Sequence, residues 1–237
     1  MHGAKPDRMK YTPGTRPLTV DAGSRVKNIA GFVFFILGAT IAMASTHPEL
    51  FDFDREAPGA LPAGWRCGVT GRGSPEWTVV AESSAPSKPN ALKQSGSGTF
   101  PWCVRPDVSL EDGYVEVKFK AISGKEDQAG GIVWRWKDGD NYYVARANAL
   151  ENNVSLYYTA NGRRHTIEYV DAPVPRNAWH TLRAEFTGRR IRVLLDGKPA
   201  IDIDDGHIAG AGAAGVWTKA DSVTLFDDFS FGSAAKR

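Results

Sequence analysis

Tyr114-Val-Glu-Val-Lys-Phe-Lys120 alternates strictly, with Val115, Val117 and Phe119 on one side and Tyr114, Glu116, Lys118 and Lys120 on the other. A period of two marks a β-strand with one face buried, because successive side chains of an extended chain leave on opposite sides. Outward from this stretch the same kind of run recurs. Ile132-Val-Trp-Arg-Trp136 follows Gly130-Gly131 and meets the turn Lys137-Asp-Gly-Asp140, after which residues 141–148 read as the returning strand. Residues 154–159 turn at Asn161-Gly162 into residues 165–170, a hairpin by its turn chemistry. Residues 179–186 set His180, Leu182, Ala184 and Phe186 on one face. Residues 190–195 reach Asp196-Gly197 and return through Ile201-Asp-Ile203, and residues 214–218 and 222–231 close the series. From Ser45 onward no segment sustains a period near 3.6. About ten strands, roughly 8–15 residues apart and with no helix between them, bury their apolar faces by stacking sheet on sheet. The chain reads as all-β, a two-sheet antiparallel sandwich.

Ahead of the strands the composition changes. Residues 1–28 carry six basic groups (Lys5, Arg8, Lys10, Arg16, Arg25, Lys27) against Asp7 and Asp21, and residues 29–44 carry no charge at all. As a helix rising about 1.5 Å per residue, that apolar run spans roughly 24 Å, short of a ~30 Å hydrocarbon core. It ends in Ala42-Met43-Ala44 before Ser45, the small-x-small pattern of a cleaved export signal. The expectation is delivery to the periplasm or the exterior after cleavage near Ala44, with an uncut signal anchor as the alternative; the membrane is touched only through this segment. Twenty-eight residues make a long leader, and a start at Val26 would leave a compact Val-Lys-Asn before the apolar run. The expected organisation is a basic leader over 1–28, a signal region over 29–44 and one β-sandwich domain over 45–237.

The chain has 237 residues, 29 basic and 27 acidic. Since the leader contributes +4, the rest is slightly acidic, which gives it no electrostatic reason to hold nucleic acid. Cys67 and Cys103 are the two cysteines, and in an exported chain such a pair reads as a disulfide. Closing that loop would constrain the unfolded chain by roughly 3–4 kcal/mol. Neither cysteine has a Cys or His at ligand spacing, and His47, His165, His180 and His207 are scattered, so a zinc site is not expected. Gly210-Ala-Gly-Ala-Ala-Gly215 has the spacing of a dinucleotide loop. Val216-Trp217-Thr218 continues it as a strand rather than a helix, so it reads as a bend and no cofactor is expected. Asp138-Gly-Asp140 lacks the Glu of a calcium loop, with Ala149 at the twelfth position. One calcium option stays open. If the first and last strands pair, Asp52 and Asp54 approach Asp227 and Asp228, and Asp52 with Asp228 become the candidate ligands, against a bland alternative of solvated edge carboxylates.

Gly130-Gly-Ile-Val-Trp-Arg135, Asp140-Asn-Tyr-Tyr-Val-Ala-Arg146, Asn177-Ala-Trp-His180, Leu195-Asp-Gly197 and Phe226-Asp-Asp-Phe229 together resemble a concanavalin A-like (laminin G-like) jelly roll. Within that fold the chain is similar to the bacterial domain labelled 3-keto-disaccharide hydrolase, a relative of family 16 glycoside hydrolases, over about residues 50–232. The resemblance implies a ligand site on the concave sheet, with Arg135 at the matching family position and carbohydrate as the partner. Alternation adds Tyr142 and Asn148 beside Arg146, with Glu116 expected on a neighbouring strand and Trp179 on the strand face of Arg183 and Glu185. Aromatic faces stack on sugar C–H patches and planar polar groups fix hydroxyls, so these six residues form the expected binding surface. The activity departs from the resemblance. Where the hydrolase-labelled domain usually reads Gly-Tyr-Glu, this chain has Asn141-Tyr142-Tyr143, and the Glu-x-Asp-x-Glu run of family 16 is absent. Non-catalytic carbohydrate binding is therefore the leading expectation, with no catalytic residue assigned. The alternatives are a hydrolase or lyase acting on (3-keto-)disaccharides or glucans, and a structural or protein-binding domain.

Overall fold

The computed structural model describes residues 48–234, so the leader, the apolar segment and the cleavage position lie outside the described residues. The strands in chain order begin with β1 (Glu49–Phe51), β2 (Arg66–Ser74), β3 (Trp77–Ala81), β4 (Asn90–Gln94) and β5 (Ser97–Leu110). There follow β6 (Gly113–Ser123), β7 (Ala129–Asp138), β8 (Asn141–Asn148), β9 (Asn153–Ala160) and β10 (Arg163–Asp171). The last are β11 (His180–Thr187), β12 (Arg190–Leu195), β13 (Lys198–Asp204), β14 (Gly212–Trp217) and β15 (Val223–Ser233). One sheet runs β13-β12-β11-β6-β15-β4-β3, with β1 also paired to β15; the other runs β10-β9-β8-β7-β14-β5-β2. Every strand pairing is antiparallel.

The alternation of β6 places Val115, Val117 and Phe119 in the space between the sheets, with Leu182, Ala184 and Phe186 of β11 beside them. From the other sheet Trp134 of β7 stacks on Tyr143 at 5.3 Å and crosses to Phe186 at 5.7 Å. Burying side chains of this size contributes about 1.5–3 kcal/mol each. Strands β2 and β5 escape the sequence pattern because Gly68, Gly71 and Gly73 in the first and Pro101 and Pro106 in the second interrupt their alternation. Within that region β2 pairs with β5 so that Cys67 stands directly opposite Cys103, and the two are joined as a disulfide.

The first and last strands pair, Glu49–Phe51 against Phe229–Phe231, but the four aspartates near them are each engaged separately. Asp52 accepts the Asp54 amide, Asp54 accepts the Asn90 amide, Asp228 pairs with Lys118 at 2.7 Å, and Asp227 accepts the Ser87 amide and hydroxyl. Among the described residues no group of three or more His, Cys, Asp or Glu is placed to hold a metal ion.

Asp227 is fully buried, and burial pushes its carboxyl up to about 6. A carboxylate raised in the folded state favours folding below its unfolded value near 4, and that contribution fades as pH rises through about 6. Asp227→Asn removes the titration. The stability of the variant relative to wild type should therefore climb by roughly 2–3 kcal/mol between pH 4 and pH 7 in urea unfolding. A flat difference across that range would refute it.

Candidate functional site

Because β7, β8, β9 and β14 alternate, Val133, Tyr142, Val144, Tyr157, Ala213 and Trp217 leave the inter-sheet core and pack on the outer face of the seven-stranded sheet. That face is a trough. The Arg164 guanidinium, on edge strand β10, lies 4.6 Å from the ring centre of Phe100 on β5, five positions away in the sheet order. A flat sheet would hold those strands about 24 Å apart, beyond the reach of any side chain. Thr70 of β2 likewise meets the Tyr142 hydroxyl of β8 at 2.7 Å. The sheet curls until its rims nearly touch, and a second apolar cluster fills the middle, including Trp102, Trp136 and Trp217.

The expected binding surface is divided by this geometry. Tyr142, Arg146 and Asn148 do share the trough face, all three buried. Tyr142 is sealed beneath the Thr70 contact, and burial raises its hydroxyl above the usual range. The Asn148 carbonyl oxygen accepts the Leu150 and Glu151 amides, shaping the turn into β9. Arg135 goes elsewhere. Its φ of 45° and the register shift after Trp134 form a bulge that turns its side chain onto Phe186, on the core side. There it donates to the carbonyls of Glu111, Gly188 and Ile208, and pairs with Asp112 at 3.4 Å. Glu116 belongs to the other sheet, where it pairs with Arg183, and Trp179 stands just ahead of β11 of that sheet, its indole donating to Ser84. Alternation says which neighbours share a face but not which sheet a strand joins, so Glu116 and Trp179 lie away from the expected surface around Arg146.

What surrounds Arg146 is a polar cluster at one end of the trough. Its guanidinium donates to Asp127 at 3.3 Å, Glu151 at 2.7 Å and the Asn153 carbonyl oxygen at 2.9 Å. Lys219 also reaches Asp127, at 2.6 Å. Asn153 in turn donates to Glu151 and to the hydroxyl of Tyr169, whose ring is 48% exposed. Burial works to raise the Glu151 carboxyl, but hydrogen bonding from Asn153 and the Arg146 charge outweigh it, leaving Glu151 below its usual value. Asp221 is lowered as well: three backbone amides, those of Lys125, Glu126 and Asp127, outweigh its desolvation. A general acid needs the opposite displacement.

Tyr157 lies between two guanidiniums, Arg146 at 5.6 Å and Arg164 at 4.2 Å from its ring centre. Beside Arg164 opens a cleft of about 510 Å³, walled by Arg72, Thr99, Phe100, Glu126, Lys219 and Asp221. Several buried polar atoms at this end have no partner: Asp127 Oδ1, Arg146 Nε, Asn148 Nδ2 and Arg164 Nη1. Of the residues at this end, Asn153 and Tyr157 could have been found from the hairpin register with β8. Asp127 and Lys219 sit outside the strands and carried no periodic signal.

No protein-family model matches the sequence. A levanase of Bacillus subtilis (strain 168) is 25% identical over 154 residues, 64% of this chain and 22% of the levanase, so the chain spans about a fifth of that protein. The carbohydrate-binding module CBM66 from Bacillus subtilis superposes with a TM-score of 0.60 at 21% identity, over 72% of this chain and 96% of that module. The fold is a concanavalin A-like jelly roll. The exoplasmic domain of VIP36, in a form with Ca²⁺ and Man3GlcNAc bound, shares it at TM-score 0.53 and 12% identity, over 73% of this chain and 85% of that one.

Proposed function

We propose that this protein is an exported, non-catalytic carbohydrate-binding domain that holds a saccharide at the polar end of its trough. The observation that carries the reading is the rim formed by Glu151, Lys219 and Tyr169, held in place by a buried Arg146–Asp127 scaffold. Sugars bind where fixed polar groups meet an exposed aromatic face, because each pyranose or furanose ring has hydroxyls at its edge and C–H groups on its surface. Glu151 and the Tyr169 hydroxyl accept, Lys219 donates, and the Tyr169 ring supplies the stacking surface. The sandwich shared with a carbohydrate-binding module and with a mannoside-bound domain supports the same class of ligand.

Tyr169→Ala tests this. Its ring is exposed, so the melting temperature should hold while affinity for a saccharide identified on a glycan array falls at least tenfold, about 1.4 kcal/mol. Isothermal titration of wild type and variant reads the change. Unaltered affinity would place the ligand elsewhere.

A further inference from the structure

The cleft beside Arg164 has a charge pattern that a neutral sugar leaves unused. Of its two carboxylates, Asp221 is turned onto its own loop, both oxygens taken by the amides of Lys125, Glu126 and Asp127. Of its cations, Lys219 is committed to Asp127, whereas Arg72 and Arg164 enter none of the ion pairs among the described residues. Two guanidiniums therefore face one unengaged carboxylate, the exposed Glu126. Arg164 is also the better-held of the two. Its guanidinium sits over Tyr157 at 4.2 Å, Phe100 at 4.6 Å and Trp217 at 5.9 Å, with Nη1 buried and without an acceptor. Cation–π contacts fix the plane of a guanidinium but do not satisfy its N–H groups. A rigid fork with unspent donors matches a planar, two-oxygen anion.

We propose that the saccharide bound here is acidic, its carboxylate received by Arg164 with Arg72 at the rim. This deepens the carbohydrate reading and rests on it. The carboxylate of a uronic acid lies at the edge of its ring, so a ring lodged in the cleft can turn that edge to the arginine. A sulfate ester offers the same charge from a different source.

The test is an array carrying uronate, sulfated and neutral oligosaccharides, followed by titration of each uronate hit and its methyl ester. The expected result is that hits fall among uronates, that methyl esterification weakens them at least tenfold, and that binding weakens as salt rises from 50 to 500 mM. Arg164→Gln should bring acid and ester to near-equal affinity, and Arg72→Ala should narrow the gap several-fold. Should Arg164→Gln fail to fold, the exposed Arg72 variant and the wild-type ester comparison still decide. Hits confined to neutral sugars, or equal binding of acid and ester, overturn the acidic assignment and leave the carbohydrate reading standing. Hits confined to sulfated glycans overturn the carboxylate assignment in favour of the ester. An array with no hits overturns both.

Discussion

Arg146→Met is expected to lower the free energy of unfolding by about 3–5 kcal/mol and to abolish saccharide binding in whatever fraction remains folded. The arginine is 2% exposed and its partner Asp127 is fully buried. Methionine fills much of the volume but leaves Asp127 with Lys219 alone, and Asn153 and Glu151 lose the donor between them. A buried carboxylate stripped of one of its two cations incurs a desolvation penalty that packing does not offset. Urea unfolding followed by tryptophan fluorescence measures the loss. Adding Asp127→Asn to the variant should recover a substantial part of the stability, because it removes the stranded charge, yet should not restore binding. A double variant as unstable as the single one would show that the arginine acts by packing rather than by charge.

Arg135→Met should show an equally large loss of stability, about 3–5 kcal/mol, with the opposite functional result. Its guanidinium is 3% exposed and ties together the turn after β5, the turn after β11 and the loop before β14 through Glu111, Gly188 and Ile208. Without it three carbonyl oxygens lose their donor and Asp112 its counter-charge. None of those groups lies on the trough face, so molecules that remain folded should bind saccharide with wild-type affinity. The contrast between the two arginines is the informative part. If Arg135→Met weakened binding at saturating folded fraction, the ligand would have to reach the core side of β7, against the geometry of the bulge.

The two arginines also show how far the sequence could be read. Both stand on strands that alternation identifies, and both invite the same expectation of a planar charged group facing a ligand. Arg146 keeps the alternation of β8, so Tyr142 and Asn148 do accompany it on one face. Arg135 breaks the alternation of β7, because one residue with φ of 45° puts it on the same side as Trp134. Nothing in Ile132-Val-Trp-Arg-Trp136 announces that residue: left-handed backbone is ordinarily a glycine's conformation, and here an arginine takes it.

The sequence by itself determined the all-β architecture, the hairpins at Asn161-Gly162 and Asp196-Gly197, the buried faces of β6 and β11 and the pairing of Cys67 with Cys103. These follow from short-range rules: a period of two, turn chemistry and the count of cysteines. The tertiary structure alone decided that Glu116 lies on the sheet opposite Arg146 with Trp179 leading into it, and that the seven-stranded sheet curls until Arg164 reaches Phe100. It also brought Asp127 and Lys219, 92 residues apart, onto one another at the mouth of the trough. The reason is physical. A strand's two faces are set by its own residues, whereas sheet membership, curl and the meeting of loops are set by which distant strands bury each other best.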